Sequence, residues 1–134
     1  LHLMFERMCA YRFLFRDLDE IASRNRSLAL AHANLVRRGE ETIVALCRGM
    51  VDAGTMHASE REIEALATNV AMASTYWLSY QRLAAQSPAG RDADAADPAR
   101  AAYQVLALIA PFTTGPTRAL IDHLVARYLA KALR

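Results

Sequence analysis

Residues 63–83 read IEALATNVAMASTYWLSYQRL, and how this stretch is read decides the fold of the chain. Between Glu64 and Arg82 it carries no charge, yet Thr68, Asn69, Ser74, Thr75, Ser79 and Gln81 make it too polar and too short for a membrane span. It is therefore expected to be a buried helix. Ile63, Leu66, Val70, Ser74, Trp77 and Leu78 recur at the spacing of a core-facing stripe. Met72, Tyr76 and Tyr80, joined by Asn69 and Leu83, form a second stripe well round the helix. The first face can close a core, which leaves the second for a cavity, another subunit or a second core layer.

The start of this helix is written just upstream. Ser59-Glu60-Arg61-Glu62 has the form of a capping box, in which the serine oxygen accepts the Glu62 amide and the Glu62 carboxylate accepts the Ser59 amide. Further back, a helix is predicted from about Leu28 to Ala53 with Leu28, Leu35, Val44, Cys47 and Val51 inward. The SRNRS segment at 23–27 supplies its cap, and Gly54 suits a left-handed C-terminal stop. Gly39 inside it marks a bend or a close approach. The opening 22 residues, LHLMFERMCAYRFLFRDLDEIA, read as a first helix. Met4, Met8, Tyr11, Phe15 and Leu18 form its main stripe, widened by Phe5, Cys9 and Phe13.

Downstream, residues 86–98 are rich in turn formers and small acidic residues and read as a loop. Asp97 followed by Pro98 is an N-cap with proline at the first helical position. The helix that follows carries Ala102, Val105, Leu106 and Ile109, and Tyr103, Ala107, Leu108 and Ala110 widen its apolar arc beyond one contact. Pro111 and TTGP end it. Pro116 opens a last helix with Leu120, Ile121, Leu124, Val125, Tyr128 and Ala132 on one face and Ala119, His123, Ala126 and Ala130 on a second, narrow seam. The expectation is an all-α protein of about five helices in orthogonal or bundle packing, its last two helices available for a dimeric four-helix bundle.

The whole-chain balance agrees. With 134 residues, 54% of them hydrophobic and few glycines and prolines, residues 1–134 make one helical domain with a core of its own. Sixteen basic against fourteen acidic residues leave a net charge of +2 and no basic block, so the electrostatic footprint of a nucleic-acid binder is missing. Cys9 and Cys47 lie in apolar helical pattern and suit a reducing, cytoplasmic setting. No signal peptide is visible. The chain opens on Leu1 already in helical pattern, which points to a fragment of a longer protein.

The search for chemistry returns little. There is no glycine-rich phosphate loop, HExxH, ExxH pair or acidic calcium loop, and His2, His32, His57 and His123 lack ligand spacing, so neither a metal nor a cofactor is expected. Cys47 with His32 is the one conceivable nucleophile and base pair, but a small buried thiol explains Cys47 better. Asp17, Asp19 and Glu20 lie among arginines as solvated ion pairs. No catalytic residue is assigned, and an enzyme is not expected. Met8, Phe13, Met50, Met72, Tyr76, Trp77 and Tyr80 can line an apolar cavity. Core packing suffices for Phe13 and Trp77, whereas buried Tyr76 and Tyr80 hydroxyls would need partners that a wet cavity supplies.

YRFLFRDL at 11–18, the long helix ending in GMVDAGTM at 49–56, the tryptophan of STYWLSY at Trp77, and YQVLALIAPF at 103–112 occur in an order that resembles the C-terminal regulatory domain of TetR-type bacterial transcriptional regulators. The resemblance covers nearly the whole chain. It implies an all-helical domain that homodimerises through its last two helices, holds an unidentified small-molecule effector among the preceding ones, and reaches operator DNA only through an N-terminal helix-turn-helix domain, which these residues do not include. No membrane partner is implied. On this reading Met8, Phe13, Cys47, Met50, Met72, Tyr76 and Tyr80 would wall the pocket for a small apolar or aromatic effector. Tyr103, Leu106, Ala110, Ala119, His123 and Ala126 would bury the dimer contact. Effector pockets in this family share no residue motif, so these positions are assigned from their places on the helices. A stand-alone helical binding or adaptor protein is the alternative, and a helical enzyme ranks below both.

Overall fold

The structure, a computed structural model, describes residues 2–11, 18–86 and 98–132. Six helical segments make up these residues: α1 (His2–Ala10), α2 (Leu18–Arg24), α3 (Arg26–Asp52), α4 (Glu60–Ala85), α5 (Pro98–Ile109) and α6 (Gly115–Ala132), with a short 3-10 turn at Ala110–Phe112 between the last two. The protein is all-α, as its periodicity dictates. The stretch read as one opening helix is represented by α1 and α2. Residues 12–17 between them, and the loop and N-cap expected at 87–97, lie outside the described residues.

Local chemistry accounts for the helix ends. The Asn25 side chain accepts the Leu28 amide at 3.1 Å and caps α3. At its other end Gly54 adopts φ +69°, the Gly54 amide donates to the Val51 carbonyl at 2.9 Å and the Thr55 amide to Met50 at 2.9 Å. That pair of bonds is the Schellman arrangement, which satisfies carbonyls that the ended helix leaves without partners. The capping box opens α4 as expected: the Ser59 amide donates to Glu62 Oε2 at 2.7 Å and the Glu62 amide to Ser59 Oγ at 3.4 Å.

Helix α4 packs between α3 and α5, and α5 in turn packs on α1 and α6. Its alanines make that possible: Ala99, Ala101 and Ala102 are all buried, and side chains so short let two neighbours approach the α5 backbone. The core joins Phe5 and Met8 of α1, Cys47 of α3, Ile63, Leu66, Val70 and Leu78 of α4, and Val105 of α5. Phe5 is the deepest large side chain, at 1% exposed. Of the expected α1 stripe Met8 is in the core together with Phe5 from its widened edge, whereas Met4 and Tyr11 stay exposed.

Two turns hold the helical hairpins together. The Met56 and Thr113 backbones pair as an isolated antiparallel bridge, the His57 amide donates to Phe112 at 2.7 Å and the Thr114 amide to Thr55 at 3.0 Å. The α3–α4 turn is thereby pinned to the α5–α6 turn. Arg118 secures the same corner by donating to the Ala110 carbonyl at 3.1 Å while its Nε meets Asp122 at 2.9 Å. A cation at a helix C-terminus is favoured by the carbonyls exposed there.

Candidate functional site

Residues of α1, α3 and α4 together line a cavity of about 410 Å³. Helix α3 lines it with His32, Leu35, Val36, Gly39 and Ile43, a run at helical spacing along one face. Met4, Arg7, Met8 and Tyr11 come from α1, and Ala71, Ser74 and Thr75 from α4. Its volume falls within the range of small-molecule sites, and its wall is chiefly apolar with a few polar groups, the composition such sites share. Leu35 and Met4 are exposed for this reason: they face an open cavity rather than another helix.

Each residue expected in a pocket wall has a definite place, except Phe13, which lies outside the described residues. Met8 lines the cavity. Cys47 is 2% exposed and belongs to the core, one turn beyond Ile43 on α3, and Met50 packs against that core. Met72, Tyr76 and Tyr80 do not line the cavity. They stand on the outer face of α4, with Tyr76 50% and Tyr80 62% exposed, and the Tyr80 ring leans on Trp77 at a centroid distance of 5.7 Å. Two buried polar atoms of α4, Trp77 Nε1 and Gln81 Oε1, have no hydrogen-bond partner.

Periodicity alone did not single out Arg7 or Leu35 as wall residues, and it brought in His32 only as a possible base for Cys47. That pairing does not form within the chain. Both residues lie on α3, fifteen positions apart, which is about 22 Å along a helix rising 1.5 Å per residue. Burial also pushes the Cys47 thiol above its ordinary pKa, which disfavours the reactive thiolate. Among the described residues no group of three or more His, Cys, Asp or Glu is placed to hold a metal ion.

A second concavity, about 340 Å³, lies between α3 and α4 and is lined by charged side chains, among them Arg37, Glu41, Arg48 and Glu64. These charges are largely committed to one another. Arg37 pairs with Glu41 at 2.5 Å and Arg48 forks onto Glu60 across the two helices, holding the Glu60 carboxyl below the ordinary glutamate range.

On the far side, α6 packs chiefly along α5 and leaves its opposite flank open. Ala119, His123 and Ala126 are exposed there, as are Leu120 and Leu129, whereas Ile121 is buried against the protein. Leu120, expected inward, is 58% exposed because it projects to this open flank, about 100° round the helix from Ile121. Tyr103 and Leu106 of α5 are half-buried, and Ala110 is buried.

The described residues thus form an all-α domain with an open apolar cavity between three helices and a last helix that leaves one flank uncovered. Residues 1–121 match the family model described as TetR, bacterial transcriptional repressor, and the chain belongs to that family of transcriptional regulators. Among solved structures it is similar to a TetR-family transcriptional regulator from Marinobacter aquaeolei VT8, with a TM-score of 0.73 and 24% sequence identity. The match covers 92% of this chain and 57% of that one, so the chain spans somewhat over half of its structural relative. No curated protein matches it significantly. Among the described residues no helix is long and apolar enough to cross a membrane.

Proposed function

We propose that residues 1–134 form the effector-sensing and dimerising part of a TetR-type regulator, acting on operator DNA through helix-turn-helix heads that lie outside these residues. The observation that carries this reading is the apolar cavity between α1, α3 and α4 in a chain of that family. Met8 belongs to its wall, with Cys47 and Met50 packed beyond it, and the proposal stands without Met72, Tyr76 and Tyr80. Tyr103, Leu106, Ala119, His123 and Ala126 bury against a second copy, where α5 and α6 of each protomer make a four-helix bundle and the alanines permit close approach. Ala110, already buried in the protomer, sits beneath that contact.

The signal is a population shift. An effector that binds one inter-head spacing more tightly than another biases the dimer toward it, and only that difference in affinity does so. The pinned turns supply a physical connection, since the α3–α4 turn that ends one cavity helix and begins another is hydrogen-bonded to the turn between α5 and α6. The test is sedimentation velocity at micromolar concentration, where the chain runs as a dimer and Ala126→Arg as a monomer of unchanged helicity. A monomeric parent chain would remove the dimeric reading.

A further inference from the structure

Among the described residues, the walls of the α1–α3–α4 cavity carry a cationic side chain and no anionic one. Arg7 is a guanidinium with five donors, His32 adds an imidazole, and among the described residues no carboxylate lines the space. The acidic residues next to Gly39 in sequence turn away, because Glu40 and Glu41 line the separate groove between α3 and α4. The remaining polar groups, Tyr11, Ser74 and Thr75, are neutral hydroxyls able to donate. The cavity is also long. His32 and Ile43, at opposite ends of the α3 run, stand eleven residues apart, about 16 Å along the helix axis. Between them the α3 wall is Leu35, Val36 and Gly39, apolar throughout.

An elongated apolar wall with a guanidinium and, among the described residues, no opposing carboxylate complements one kind of molecule. The geometry points to an amphiphilic anion as occupant: an extended apolar chain ending in a single anionic head group, the head met by Arg7 and the chain lying along Leu35, Val36, Ile43 and Met8. A neutral apolar molecule leaves the guanidinium without its best partner, and a cationic amphiphile meets like charge. This inference rests on the cavity being the effector site and adds the chemical class of the effector.

The test uses the 134-residue chain and three probes of equal chain length, decanoate, decan-1-ol and decylammonium, each below its micelle-forming concentration, with binding read by calorimetry. Decanoate is expected to bind about tenfold or more tighter than decanol, the size of one charge-assisted hydrogen bond, with decylammonium weakest. Arg7→Gln removes the preference for decanoate over decanol. Gly39→Phe, whose added side chain enters open space in the cavity wall, abolishes binding of both. Equal binding of all three probes, or a preference untouched by Arg7→Gln, overturns the anionic class; if Gly39→Phe still abolishes binding, the cavity itself stands as the effector site. Binding that persists at full strength in Gly39→Phe overturns both the class and the cavity. No binding of decanoate at millimolar concentration overturns the class.

Discussion

Two glycines of α3 and its cap show how little of a residue's cost is visible in its type. Neither Gly39 nor Gly54 has a neighbour within 4 Å of where a Cβ would stand, so space does not distinguish them. Backbone conformation does: Gly54 sits at φ +69° and Gly39 does not have positive φ. Gly39→Ala is therefore expected to stabilise the protein by about 1 kcal/mol, the helix-interior difference between the two residues. Gly54→Ala is expected to destabilise it by about 1–2 kcal/mol, because the left-handed region crowds a Cβ against the carbonyl. Urea melts of the pair decide the matter, and changes of the same sign would contradict it. At Gln81, a buried acceptor without a partner costs more than an apolar atom of the same shape. Gln81→Met, nearly equal in volume, is accordingly expected to raise the urea midpoint by an amount worth about 1 kcal/mol. Cys47, buried and with its thiol pKa pushed up, is expected to react with a thiol reagent only as fast as the protein opens, so its modification rate tracks unfolding.

The helices themselves were largely legible, because what starts and stops them acts within a few residues. The capping box of α4, the Asn25 cap and the Gly54 stop are written in sequence and present in the structure. Ser59→Ala should cost about 1 kcal/mol, as cap removal does elsewhere. The box also sets a pH response. Hydrogen bonds from the Ser59 side chain and backbone hold the Glu62 carboxyl below its ordinary pKa, and the Arg48 guanidinium does the same for Glu60. A carboxyl whose pKa is lower when folded contributes stability above its unfolded pKa and loses it as pH falls through the folded value. The Glu60→Gln, Glu62→Gln double variant should therefore be less stable at neutral pH, where both contributions are fully present, and lose less of its stability as pH falls below about 4.5. Circular dichroism across pH 2–7 reads this directly, and an unchanged acid limb would show that neither carboxyl is coupled to folding.

For the whole molecule the expected observable is linkage. A ligand that binds only the folded chain adds about 2.7 kcal/mol of stability at a free concentration one hundred times its dissociation constant. A cavity ligand should therefore raise the melting temperature in the parent chain and not in Gly39→Phe. By itself the sequence determined the all-α class, the caps of α3 and α4 and the core face of residues 63–83, since periodicity and capping are interactions between residues close along the chain. Which apolar face meets protein and which meets space was decided by the tertiary structure. Met72, Tyr76 and Tyr80 have the composition of a pocket wall yet stand on the outer side of α4, while Arg7, His32 and Leu35 look like surface or core residues one at a time. Helix crossing brings those three onto one cavity, and crossing angles depend on how three helices pack together, a quantity that no single helix carries in its own pattern.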